Sequence, residues 1–358
     1  MYLNDRIPGD NFVCSCKLSD WSLAAISFLS KFPMVSNRPL TTFSVLSFDI
    51  YGTLIDWEKG ILESLKPLAA RLPDSHPLKS DHVALGCALN KYERTFQVEN
   101  PTQSYDLILK VSYEALAKEL QALPAATDTE DASSLLDKES SAFGASIGTW
   151  PPFPDTVEAM RKLKQRYKLV PLSNVDRASF QKTLHGPLGG VHKGLKDGEA
   201  FFDAVYTAQD VGSYKPDPRN FEYLLSHLKS DFGAAKDDVL HVAQSLFHDH
   251  EPAKKFGLQS VWISRGEGRD GMGGNVAEYL GGDNAKVAFG WRFNTLADMY
   301  IKTNGHSLRI DPFGALDCSP TYYQVSHTSN SSWNHPTEQV PASGHLDAAH
   351  PESVNMGT

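Results

Sequence analysis

The chain has little cysteine, and what it has is poorly placed for chemistry. Cys14, Cys16, Cys87 and Cys318 fit neither a metal site nor a thioredoxin-type pair. That speaks against a disulfide scaffold, and a reducing compartment, the cytoplasm, is expected. Long apolar runs are missing as well: none approaches the roughly 20 residues of a membrane span. The nearest, Trp21–Leu29, follows a segment mixing Asp5, Asp10 and Asp20 with Arg6 and Lys17, unlike the basic lead of a secretory signal. No block of Lys and Arg offsets the net charge of −9, so neither nucleic acid nor an anionic membrane is an expected partner. No internal repeat is present. What remains is 41% apolar and 22% charged residues in a chain of 358, enough for a sizeable core in one large domain or two.

The most informative stretch is Val45-Leu-Ser-Phe-Asp-Ile-Tyr-Gly-Thr-Leu-Ile-Asp56, an apolar run ending on a carboxylate and turning through a glycine. Val45, Leu46 and Phe48 suit a strand buried on both faces, whereas Asp49 has no packing role and stands at the strand's mouth. It is either a nucleophile or the cap of a strand-to-loop turn. Residues 58–148 follow with apolar side chains at helical spacing, among them Leu62, Leu65, Leu68, Leu107, Val111, Leu116 and Leu120. Trp150-Pro-Pro-Phe-Pro154 then breaks the helical region, and Asp155 is positioned to cap a helix with Val157, Met160, Leu163 and Tyr167 on one face. From there strands alternate with helices. Lys168–Leu172, Phe202–Thr207, Val239–Ala243 and Ser260–Ile263 read as buried parallel strands, which with Val45–Phe48 makes a sheet of five. The predicted fold is a doubly wound α/β sheet with an all-helical insertion after its first strand.

Ligands of such sheets bind beyond the carboxyl ends of the strands. Ser173 and Asn174 end the second strand and can donate hydrogen bonds to an anion, or they form a turn. Lys215, in Ser213-Tyr-Lys-Pro-Asp-Pro, follows the third strand, either fixed beside Asp49, where its charge would lower the carboxyl pKa, or solvated. The fourth strand runs into Gln244-Ser-Leu-Phe-His-Asp249, in which Asp249 is placed to act as a base. His248 and His250 flank it, as solvated loop histidines or as ligands or a proton relay.

In this order the motifs resemble those of the haloacid dehalogenase superfamily, and the Asp-x-Tyr-Gly-Thr form resembles its 2-haloacid dehalogenase branch. The resemblance covers roughly residues 43–300. It implies a hydrolase with a Rossmann-like core over 43–57 and 149–304 and a helical cap domain over 58–148. Residues 1–42 would be an N-terminal extension, of which 1–33 are expected to be dispensable, and 305–358 a disordered tail. It further implies Asp49 as nucleophile, Lys215 and Asp249 as catalytic partners, and Tyr51, Thr53, Ser173 and Asn174 around the substrate. Arg94, just before Gln97 and Glu99, would grip a small anionic substrate, its other reading being a surface pair with Glu93 or Glu99. No cofactor is implied, and a homodimer is left open.

The departures separate two chemistries. Phosphatases of the superfamily carry Asp at the positions of Tyr51 and Gln244, the first as general acid and the second as a Mg²⁺ ligand beside Asp249. A phosphatase must protonate its leaving group, a contribution of roughly 10²–10⁴-fold, whereas halide needs no proton. Tyr51 therefore points to dehalogenation. The alternative is a Mg²⁺-dependent phosphatase with Asp49 and Asp249 at the metal. Leu246 and Phe221, where the dehalogenase branch usually has Asn and Tyr, keep open a third reading, a binding or accessory protein without turnover.

Overall fold

Residues 38–265, 276–280 and 285–303 are described by the computed structural model. The expectations for residues 1–33 and for 305–358 lie outside them. The strands are β1 (Val45–Phe48), β2 (Lys168–Ser173), β3 (Tyr206–Thr207), β4 (Val239–Ala243), β5 (Ser260–Ile263) and β6 (Trp291–Phe293). They pair in the order β3-β2-β1-β4-β5-β6, every neighbour parallel. The order in which strands are added reverses between β1 and β4, so the crevice at this switch point opens over the carboxyl ends of the two central strands. Both strands are buried along their whole length, as their apolar composition requires.

Two strands differ from expectation. β6 was not foreseen, because three residues with Arg292 in the middle carry no apolar run. β3 is shorter than Phe202–Thr207: Phe201 and Phe202 leave the ladder to pack edge-on against each other, and Phe202 also meets Phe180. Asp203 takes over part of the pairing, its carboxylate accepting from the Leu169 amide at 2.8 Å.

Between β1 and β2 lie helices α1 (Trp57–Ser64), α2 (Lys66–Arg71), α3 (Pro77–Ser80), α4 (His82–Glu99), α5 (Tyr105–Glu119) and α6 (Ala132–Ala145). Asp56, Asp81 and Asp131 cap α1, α4 and α6 by accepting from backbone amides three residues on. On α5 the apolar stripe keeps Leu116 as expected but not Leu107. Ile108, Leu109, Tyr113 and Leu116 are buried, and Leu107 is exposed. No described helix is long and apolar enough to cross a membrane.

The two passages between this helical segment and the sheet run side by side. Asp56 N donates to Pro151 O at 2.8 Å, Phe153 N to Leu54 O at 3.0 Å, and the Thr156 hydroxyl to Leu54 O at 2.9 Å. Asp155 occupies the N-cap position of α7 (Thr156–Lys164) without capping it by its side chain. Its carboxylate instead accepts from the Leu296 amide at 2.9 Å, opening α8 (Leu296–Thr303), and forms a two-pronged pair with Arg265 at 2.8 and 2.9 Å. A buried guanidinium outcompetes the local amides, which is why the expected cap is diverted.

Candidate active site

The turn after β1 aims its side chains. Ile50 O accepts from the amides of Thr53, Leu54 and Ile55, and Gly52 takes φ +102°, where a Cβ would stand 3.1 Å from Trp57 Nε1 and 3.2 Å from Gln244 Oε1. The tight wrap brings the Thr53 hydroxyl back onto the end of the strand. It accepts from the Gln244 amide at 2.9 Å and donates to Asp49 Oδ2 at 2.7 Å.

Lys215 arrives from the loop after β3 and is held by Asn174, whose side chain accepts from Lys215 N at 2.6 Å and donates to Lys215 O at 3.0 Å. The ammonium has three donors and three acceptors: Asp49 Oδ1 at 2.9 Å, Asp249 Oδ1 at 2.8 Å and Leu172 O at 2.8 Å. It is 2% exposed, so the solvated reading of this lysine is excluded. Asp249 comes from a single turn of π-helix, Leu246–His250, opened by the Ser245 hydroxyl accepting from His248 N. Its Oδ1 also accepts from His241 Nε2 at 2.9 Å, while Oδ2 is buried without a partner, as is the Ser173 hydroxyl. A buried carboxylate oxygen and a buried hydroxyl without partners each ask for a polar group from outside the chain.

Burial raises the Asp49 carboxyl above its ordinary value of 3.8, reinforced by the charge of Asp249; Lys215 and Thr53 pull it down without cancelling the rise. The expected net lowering of Asp49 by Lys215 is thus overturned by desolvation. Asp249 is buried too, but Lys215 and the hydrogen bond from His241 bring it well below the carboxylate range. Lys215 resists burial because both carboxylates hold its proton, and its pKa rises.

The remaining expected residues are placed as follows. Tyr51 is half-buried, its hydroxyl 2.7 Å from Thr183 Oγ1 and its ring edge-on to Trp150. Burial keeps its phenol protonated. Arg94 is exposed on α4 and lies over the Phe247 ring at 5.8 Å, at the rim of the β4 loop. Leu246 packs with Trp262, Leu280 and Val287, and Phe221 stacks on Phe256. The histidines beside Asp249 are not solvated loop residues: burial lowers each to a pKa of about 4. His250 bridges the Ala243 carbonyl at 3.0 Å and the Ser260 hydroxyl at 2.9 Å, which leaves neither ring nitrogen for a metal.

The residue that sequence reasoning passed over is His241. It stands inside β4 opposite Ser47 of β1, fully buried, its Nδ1 3.2 Å from the Ser47 hydroxyl. The available signal was two polar side chains in otherwise apolar central strands, a pattern that asks for a buried partner.

A Mg²⁺ site of the phosphatase kind needs several anionic oxygens. Gln244 contributes none, and one oxygen each of Asp49 and Asp249 already accepts from Lys215. Among the described residues no group of three or more His, Cys, Asp or Glu side chains could hold a metal ion. The residues present fit the ion poorly.

A parallel sheet bearing an Asp–Lys–Asp cluster at its switch point defines a class of α/β hydrolase. A family model described as haloacid dehalogenase-like hydrolase matches residues 43–257, more than half of the chain, which belongs to that family. One relative, (S)-2-haloacid dehalogenase 4A of Burkholderia cepacia, is 26% identical over 224 residues, 61% of this chain and 81% of its own length. Among solved structures, a defluorinating L-2-haloacid dehalogenase aligns with a TM-score of 0.53 at 18% identity, over 75% of this chain and 98% of its own. A Bacillus subtilis protein described as a HAD hydrolase and solved with magnesium aligns at 0.50 and 17%, over 73% and 99%. At these identities the structural likeness shows the fold alone.

Proposed function

We propose that this hydrolase cleaves the carbon–halogen bond of small 2-haloacids. The observation that carries the reading is Lys215 clamped between Asp49 and Asp249, with Asp249 Oδ2 buried and unpartnered beside them. The name of the Burkholderia cepacia relative points the same way.

A carboxylate oxygen of Asp49 forms a bond to the carbon bearing the halogen as that bond breaks, and the halide leaves with its electron pair. Water then attacks the carbonyl carbon of the Asp49 ester while Asp249 takes its proton. The ester bond breaks, the departing alkoxide recovers the proton, and 2-hydroxy acid and free Asp49 result. No step requires a metal or other cofactor. The Ser173 hydroxyl donates to the substrate carboxylate, and Asn174 acts by setting Lys215. Residues 58–148 serve as a cap over the site, from which Arg94 meets the anionic substrate at the rim, and Tyr51 borders the leaving-group side.

The rival within the family is a Mg²⁺-dependent phosphatase. Tyr51 and Gln244 speak against it, since neither supplies the acid or the anionic ligand it needs. The test is chloride release from 2-chloropropionate beside phosphate release from phosphomonoesters, each with Mg²⁺ and with chelator. An Asp49 adduct detected by mass supports the reading and excludes a protein without turnover. Brisk Mg²⁺-dependent phosphate release with no chloride would replace it.

A further inference from the structure

We propose that His241 is a positioning residue for the hydrolytic half of the reaction, fixing Asp249 so that its second oxygen faces the water. The inference rests on the dehalogenase reading above and goes beyond it, since the resemblance assigns no role to this residue.

Asp249 Oδ1 accepts from two donors, Lys215 Nζ at 2.8 Å and His241 Nε2 at 2.9 Å. A carboxylate held by one donor can swing about its Cα–Cβ and Cβ–Cγ bonds. Two donors converging on one oxygen, one from β4 and one from the loop after β3, fix both torsions and leave Oδ2 with a single direction, in which it has no protein partner. Asp249 accepts only, so Nε2 must carry the proton of that hydrogen bond. In the neutral ring Nδ1 is then an acceptor, and the Ser47 hydroxyl 3.2 Å away supplies the proton. Ser47 thereby selects the tautomer that serves Asp249, an orienting chain of the kind that sets a histidine by its far nitrogen.

Every element around the ring supports this placement. β1 contributes Ser47, and the residue before β5 the Gln259 carbonyl that accepts from His241 N at 3.0 Å; the helix Arg219–Phe232 contributes Phe221, whose ring centroid is 5.2 Å away. The titratable groups about His241 are Asp249, Lys215 reached through it, and His250, itself neutral and pinned. Phe221 offers the ring no polar alternative, so its Nε2–H has Asp249 as its acceptor.

The two half-reactions should part company when His241 changes. In His241→Leu, single-turnover chloride release from 2-chloropropionate should stay near the parent rate, while the steady state falls about tenfold or more and the Asp49 ester accumulates by intact mass. His241→Gln keeps an N–H of similar reach and should restore most of the loss. Ser47→Ala, which frees the tautomer, should show a weaker form of the same split. Equal slowing of both half-reactions, or no slowing, in variants with parent-like melting temperature overturns the proposal. If the leucine variant does not fold, the glutamine and Ser47 variants decide by the same criterion. If the parent releases no chloride and forms no adduct, the dehalogenase reading itself fails. The carboxyl carbon resonance of Asp249 then decides: an upward-shifted titration in His241→Leu with return in His241→Gln supports the contact, and an unmoved one removes it.

Discussion

Lys215 and Asp49 are joined at 2.9 Å with both side chains buried, yet burial and the charge of Asp249 outweigh the ammonium and raise the Asp49 carboxyl above its ordinary value. The proposed attack needs the anion. Because burial raises the Asp49 pKa, activity should fall on the acidic side through a pKa above 3.8, with full rate only at higher pH. A pH profile of kcat/KM measures this, and an acidic limb at or below the ordinary carboxylate value contradicts it.

Removing the ammonium leaves only the Thr53 hydrogen bond to oppose burial and the charge of Asp249, both of which raise Asp49. Lys215→Ala should be inactive near neutral pH, and the acidic limb of any residual activity should move to higher pH. An unmoved limb would falsify the ion-pair argument.

Asp49→Asn keeps the side chain's shape while removing the carboxylate that the proposed attack requires. It should abolish turnover, to below a few per cent of the parent, with little change in melting temperature. A mutant clearly above that level identifies another nucleophile.

The leaving group offers a gain-of-function test. Tyr51→Asp with Gln244→Asp introduces the acid and the metal ligand that phosphatases of this family carry, at the cost of the Tyr51–Thr183 contact. Mg²⁺-dependent phosphate release should appear, with the acid contributing roughly 10²–10⁴-fold, and chloride release should fall. Both products are assayed for parent and double variant, with Mg²⁺ and with chelator. Strong phosphatase activity in the parent would mean Tyr51 has been misread.

Arg265 carries a stability prediction. It pairs with Asp155 through two bonds, donates to the Thr53 carbonyl at 2.8 Å and stacks over Phe153 at 4.1 Å. Arg265→Ala leaves Asp155 largely buried and unpaired, and should cost about 3–5 kcal/mol in denaturant unfolding. Asp155 has its pKa lowered in the fold, so its contribution is present above the unfolded value and is lost as pH falls through the folded one. In the variant burial is opposed only by the backbone amides, so this loss of stability on the acid side should shrink.

How legible all this was depended on where a residue sits relative to a strand end. Asp49 could be read because a charged side chain ending an apolar run has no packing reason to be there, and Lys215 because it precedes a proline within a motif that resembles the family's. His241 could not, because inside Val239–Ala243 it looked like strand filler, and its meaning lies in Ser47 and Asp249, remote in sequence. Arg94 fell on the expected helix, but its stacking on Phe247 joins segments that no local pattern relates. The diverted cap at Asp155 and the short β6 have the same cause: long-range partners such as Arg265 and the edge of β5 settled them, not local propensity.

The Thr53 hydroxyl has a consequence for the entropy of the reaction. The Gln244 amide can only donate, so it takes a lone pair of Thr53 and turns the hydroxyl proton toward Asp49 Oδ2. With Lys215 on Oδ1, the two oxygens of Asp49 are no longer interchangeable, and the carboxylate cannot spin without breaking two bonds at once. The rotational freedom that a free carboxylate would lose on attack has already been surrendered in folding, before any substrate arrives.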